Sequence, residues 1–132
     1  MLRAYSKNIE VNAGNAIPFN VDKFDIGNNI GHTAGSSSIV IRNAGFYEVN
    51  LDIAFTTAVA PTTQPVTIQL YADGVAIPDA VIATNVTATE VVNASFNTII
   101  RAISGFPSQT VTLTVIPSND ITITSVAIGI DQ

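Results

Sequence analysis

The residues with the clearest chemical potential are few. His32 is the only histidine, and it stands in a Gly- and Ser-rich stretch, residues 27–37, with Ser36, Ser37 and Ser38 close by. A nucleophile needs a base and a built oxyanion site, and neighbours in sequence do not supply them. The Gly-x-Ser-x-Gly turn that would expose a serine is absent. His32 is therefore expected to be a solvated loop side chain. Two groups of carboxylates come next. Asp22 and Asp25 are close in sequence, and Glu48, Asn50 and Asp52 line one face of a strand pattern. Paired carboxylates do acid–base work or bind Ca²⁺ through oxygen. No twelve-residue calcium loop surrounds these, so they are read as a solvated strand face or as polar contacts at a subunit interface. With no cysteine there is no disulfide framework, thiol nucleophile or thiolate metal site. Asn85-Val86-Thr87 and Asn93-Ala94-Ser95 match the glycosylation sequon, read as chance matches in an Asn- and Thr-rich chain. No catalytic residue, no metal ligand and no cofactor is assigned, and the chain is not expected to be an enzyme.

The elements that must carry these residues are strands. In Gly45–Phe55, Tyr47, Val49, Leu51, Ile53 and Phe55 alternate with Glu48, Asn50 and Asp52. A period of two places the first set on one face of an extended chain and the second on the other. Val66–Ala72 alternates in the same way and runs into Asp73-Gly74, a hairpin turn signal. Further strands are predicted at Ser38–Arg42, Val75–Ile77, Ala80–Thr84, within Glu90–Ile103, at Val111–Ile116 and at Ile121–Ile130. Ala16–Val21 reads as an edge piece or a strand start, because proline cannot donate to a ladder. Thr56–Pro65 reads as a loop, and Gly105-Phe106-Pro107-Ser108 as a turn whose phenylalanine plugs the sandwich end. No amphipathic helix is evident. Eight to ten short strands with a turn signal about every ten residues predict an all-β sandwich or barrel. Residues 1–15 are read as an N-terminal arm or short strand, and residues 16–132 as a single domain.

The closing stretch is unusual. Thr122, Thr124, Val126, Ile128 and Ile130 fall on one face, and Ile121, Ile123, Ser125, Ala127 and Gly129 on the other, with no charge before Asp131. A strand with one wet face carries polar residues there. Burial on both sides is therefore expected, against the core and against another subunit. Composition agrees. Only 11% of the 132 residues are charged and 47% are hydrophobic, with a mean hydropathy of +0.40, which favours an oligomer over a monomer with bare apolar patches. The net charge of -5, with no basic stripe, excludes nucleic acid and an anionic membrane as partners. The first residues lack the apolar core of a signal peptide and no run reaches the length of a membrane span, so synthesis in the cytoplasm is expected. Arg3, Tyr5 and Lys7, in the expected arm, are candidates for attachment to a larger particle.

At the level of ordered motifs the chain resembles the tumour necrosis factor-like and complement globular-head jelly rolls, including their bacterial and phage branch. Ile17-Pro18-Phe19-Asn20 resembles the opening strand, Gly45-Phe46-Tyr47-Glu48-Val49 the Gly-x-Tyr-x-Val strand, Leu70–Ile77 the hairpin, and Ser125–Ile130 the closing strand. The resemblance implies a two-sheet antiparallel jelly-roll sandwich forming a compact homotrimer, with the sheet that holds both chain ends around the threefold axis. Tyr47, Ser125, Ala127 and Gly129 are then the expected trimer-interface residues. Many relatives carry a collagen-like or coiled-coil stalk, which this chain lacks. The implied function is a non-enzymatic virion structural protein: a trimeric bacteriophage capsid decoration or head-fibre protein, located on the virion, whose partners are itself and a capsid or other virion protein. The alternative is a receptor- or carbohydrate-binding tip of a phage tail or spore surface, with a cell-surface glycan as partner.

Overall fold

A computed structural model describes residues 1–57, 63–103 and 110–132. The described residues form ten strands: β1 (Leu2–Val11), β2 (Val21–Asp25), β3 (Ile30–Gly31), β4 (Ile39–Ile41), β5 (Gly45–Thr56), β6 (Thr63–Ala72), β7 (Val75–Thr87), β8 (Val92–Ala102), β9 (Val111–Pro117) and β10 (Ile121–Asp131). They make two five-stranded sheets, in the order β2-β1-β10-β5-β8 and β3-β4-β9-β6-β7. The first holds both the first and the last strand and is called the terminal sheet below. All the pairings are antiparallel. From β4 onward the chain changes sheet at every connection except the β6–β7 hairpin. The result is a jelly-roll-like sandwich.

The alternation in β5 does what the sequence predicts. Tyr47, Val49, Leu51, Ile53 and Phe55 are all buried. They join Val66, Ile68 and Leu70 of β6, Leu113 and Val115 of β9, and Ile39 and Ile41 of β4 in one core between the sheets. Each such side chain contributes roughly 1.5–3 kcal/mol on leaving water. The Asp73-Gly74 turn has φ of 50° and 79° and joins Ala72 directly to its partner Val75. Positive φ at both central positions is what a two-residue hairpin with right-handed strand twist requires.

Several expectations are corrected. Of the two readings of the first residues, arm or short strand, the structure has a strand and not an arm: Leu2–Val11 is ten residues long and lies between β2 and β10, with Leu2, Ala4 and Ser6 buried. Ile17–Phe19 is not a strand, although Ile17 and Phe19 are fully buried. Its backbone is held from outside a ladder: the Ile17 N–H donates to Val115 O (2.8 Å) and the Phe19 N–H to Ser36 O (3.2 Å). Pro65 lies inside β6, not in a loop. The β9 pairing of β6 begins only at Ile68, so Pro65 faces no second neighbour there and its missing N–H costs nothing. Pro78 does not end β7 either. Between Gln69 and Tyr71 the register shifts, and the Gln69 amide donates to Ile77 O (2.6 Å) and Ala80 O (3.2 Å). That side chain satisfies the carbonyls freed by the bulge around Pro78 on this edge strand. The Gly105-Phe106-Pro107-Ser108 turn lies outside the described residues, as does 58–62 of the predicted Thr56–Pro65 loop.

The largest correction concerns β10. Its pairing with β5 slips between Ile123 and Ser125. A single extra residue flips the inside–outside phase of everything after it. Ile121 and Ile123 point inward before the bulge, and Val126, Ile128 and Ile130 point inward after it; all five are buried. The two uncharged faces of the sequence pattern are therefore one apolar inner face read through a phase shift. Ala127 is exposed and Ser125 half-buried on the outer face.

Candidate functional site: the outer face of the terminal sheet

Cross-strand register lays out this face in rows. Lys7 pairs with Ser125, and Ser125 with Ala54. Tyr5 pairs with Ala127, Ala127 with Asp52, and Asp52 with Ser95. Arg3 pairs with Gly129, Gly129 with Asn50, and Asn50 with Asn97. Further along, Asp131 pairs with Glu48 and Glu48 with Ile99, and Phe46 with Arg101. On the other flank Val21 lies opposite Tyr5 and Phe24 opposite Arg3. The centre is the small-residue strip of β10, and longer side chains stand on both sides. Two adjoining depressions of about 810 Å³ each run along this strip and share Tyr5, Lys23, Asp52, Ser95 and Ala127 in their walls. Together they form one open trough.

The charges are segregated. Lys7, Lys23 and Arg3 stand on the β1–β2 side, and Asp52 and Glu48 on β5. Arg3 reaches across Gly129 to Asp131, with Nη2 2.7 Å from the carboxylate. The guanidinium lies where a Gly129 side chain would begin, 3.1 Å from that point. The Glu48 carboxylate accepts from the Asn50 and Asn97 amides, both at 3.2 Å, and Asn97 also donates to Asn50. Exposed apolar groups stand at both rims: Val21 and Phe24 on β2, Phe46 and Ile99 on β5 and β8. The Arg101 guanidinium lies 5.9 Å from the Phe46 ring centroid, within cation–π range.

Four of the 5 basic residues of the chain, Arg3, Lys7, Lys23 and Arg101, are on this face, with Glu10, Glu48, Asp52 and Asp131 of the 10 acidic ones. The remainder of the molecule thus carries one cation, Arg42, against six carboxylates.

The sequence-derived candidates sort clearly. Ser125 and Ala127 are on the floor of the trough. Gly129 is on the same strip but buried beneath Arg3 of its own chain. Arg3, Tyr5 and Lys7, expected in a separate arm, pair directly with Gly129, Ala127 and Ser125, so the two sets are one surface. Tyr47 is not on it. Its ring is fully buried in the core and its hydroxyl donates to Asn43 O at 2.8 Å; burial raises its pKa above 10.0. Sequence reasoning missed Lys23, Phe24, Phe46 and Arg101 as members of the face. A signal was present in Phe46 and Arg101, which sit on the polar phase of their strands.

His32 is also misplaced by the sequence. Its ring is fully buried, with Nδ1 hydrogen-bonded to the Asp22 carboxylate and Nε2 donating to Ser36 O (2.8 Å). Ser36 thus meets His32 through its carbonyl, while its hydroxyl bonds Ser38. Among the described residues no group of three or more His, Cys, Asp or Glu side chains is placed to hold a metal ion, and no helix is long and apolar enough to cross a membrane.

No family model matches the sequence, and no curated protein does. Among solved structures the chain is similar to the PRD1 vertex protein P5, at 10% identity and a TM-score of 0.48, covering 96% of this chain and 93% of that one. It is also similar to a structure described as the EclA C-terminal domain, a sugar-binding protein, at 17% identity and a TM-score of 0.42, covering 94% of this chain and 79% of the other.

Proposed function

We propose that this protein is a non-enzymatic structural subunit that associates with copies of itself through the trough face, as a compact tumour necrosis factor-like homotrimer. The observation that supports this best is the charge distribution. Two copies of an acidic protein repel over most of their surface, but here one face gathers four of five cations beside four carboxylates and so carries no net charge. Its floor of Ser125 and Ala127 lets another chain approach closely, and its rims, Val21, Phe24, Phe46 and Ile99, offer apolar area at the edges. A basic flank and an acidic flank on the same face complement each other between successive subunits of a closed ring. Light scattering after size exclusion is expected to give three times the 13.8 kDa chain mass, unchanged by EDTA. A monomer, or dissociation on chelation, overturns the assembly.

The setting we propose is a virion, as a bacteriophage capsid decoration or head-fibre protein; this part rests on the sequence resemblance to the phage branch of these jelly rolls. Immunolabelling of purified particles, with label on the head, tests it. A second reading, a glycan-binding tip, draws on the same trough, where the Asp52 carboxylate and the Ser95 hydroxyl stand beside the Tyr5 ring. Such a set suits sugar hydroxyls and a stacked pyranose. Glycan-array binding that is lost in Tyr5→Ala, with a monomeric protein, favours the tip over the trimer.

A further inference from the structure

A second feature lies off the trough, at the edge where the two sheets part. β2 is the outermost strand of the terminal sheet and pairs only with β1 among the described strands. The β3–β4 loop belongs to the opposite sheet. His32 connects them: Nδ1 bonds the Asp22 carboxylate of β2 and Nε2 bonds the Ser36 carbonyl of the loop at 2.8 Å. The ring is fully buried and packs edge-on against Phe19, at 6.3 Å between centroids. The same loop is tied back to Phe19, whose N–H donates to Ser36 O and whose carbonyl accepts from Gly35.

Both partners of the ring are acceptors. A carboxylate and a carbonyl offer only lone pairs, a neutral imidazole has one N–H, and only the imidazolium has two. The observed pair of bonds is therefore complete when the ring is doubly protonated. The carboxylate holds the Nδ1 proton, so the proton that leaves is the one on Nε2: a ring lone pair then faces the Ser36 oxygen, and the bond to Asp22 loses its charge assistance. The other charged groups of this small cleft are Asp25 of β2 and Arg42 beyond β4, of opposite sign.

We propose that His32 is a pH-operated clasp: as the imidazolium, it fastens β2 to the β3–β4 loop through a charge-assisted bond to Asp22, and loss of one proton loosens β2 at the sandwich edge. The device is local, because β2 is an edge strand whose one ladder among the described strands is with β1, and edge elements open at lower free energy than the core. Its consequence reaches the trough, since β2 carries Val21, Lys23 and Phe24. The clasp itself does not depend on assembly.

Amide hydrogen exchange across Val21–Asp25, expressed as protection factors so that the chemical pH dependence is removed, reads the clasp directly. Ring ¹⁵N shifts of His32 follow its protonation in the same samples. In the wild type, protection of these amides is expected to fall about tenfold as the ring loses its proton, the effect of exchanging a charge-assisted bond for a neutral one, while β5 amides stay unchanged. Asp22→Asn supplies an amide N–H₂ that can donate to the neutral ring, so its β2 protection is expected to stay flat over the same titration. Unchanged wild-type protection through the ring titration overturns the proposal, as does a ring that titrates only on global unfolding. An equal fall in Asp22→Asn overturns it too. If that variant does not fold, the wild-type comparison of β2 with β5 still decides.

Discussion

Replacing Ala127 by arginine separates the stability of the subunit from its assembly. Ala127 is exposed on the trough floor, between Tyr5 on β1 and Asp52 on β5. In an isolated subunit the new guanidinium finds the Asp52 carboxylate directly across the strand pair, a contact that favours the fold by roughly 0.2–1 kcal/mol. Folding stability is thus expected to stay within about 1 kcal/mol of wild type, as at most exposed sites. Assembly through the trough is another matter. A subunit packed over this floor would enclose a bulky cation whose pairing with Asp52 competes with the basic flank of the neighbour. Leaving one buried charge uncompensated costs about 3–5 kcal/mol. At the lower end, three copies cost about 9 kcal/mol per trimer, about six decades in the association constant. Sedimentation velocity and light scattering of Ala127→Arg should show a folded monomer, and urea unfolding of that monomer should give an unchanged m-value for the subunit. A variant that remains trimeric at micromolar concentration refutes the placement of the interface. Aspartate is the poorer choice, because it would face Asp52 within its own chain and confound the two effects.

The remaining expectations test the fold beneath that face. Ile128→Ala removes a buried core side chain paired with Ala4 and Leu51, and should cost about 2–5 kcal/mol by equilibrium unfolding without changing the oligomeric state. Because burial raises the Tyr47 pKa above 10.0, the unfolded chain releases that proton first. Stability is therefore full below the unfolded value and should fall as pH rises from there toward the folded pKa; Tyr47→Phe should flatten this alkaline decline while costing about 0.5–1.5 kcal/mol at neutral pH for the lost bond to Asn43. Deleting residues 2–8 should abolish cooperative folding, because it takes buried Leu2, Ala4 and Ser6 from the core and leaves β2 without its ladder; a cooperative melt by circular dichroism would show that β1 is dispensable.

The sequence by itself determined the class of the fold. The period-two runs in β5, β6 and β9 and the Asp73-Gly74 turn are local signals, because alternation and positive-φ preference are properties of a few consecutive residues. They placed three strands near the middle of the two sheets, the hairpin turn and the ten core residues those strands carry. The tertiary structure decided what depends on partners distant in the chain. A one-residue bulge in β10 exists only relative to β5, so the strand's two apolar phases looked like two buried faces. Pro65 read as the end of a loop, and Val75–Ile77 and Ala80–Thr84 as separate strands on either side of Pro78; only the position of β9 and the Gln69 side chain made the two prolines tolerable within β6 and β7. Arg3, Tyr5 and Lys7 looked like an arm because nothing nearby in sequence pairs with them; their partners are more than 110 residues away on β10. His32 looked solvated in a polar loop, but its ring is buried against Phe19 and bonded to Asp22 on the edge of the neighbouring sheet. The trough itself has no sequence motif. It arises because five strands from both ends and the middle of the chain bring small residues to the centre and charged ones to the flanks, and such an arrangement follows only from the register of the whole sheet.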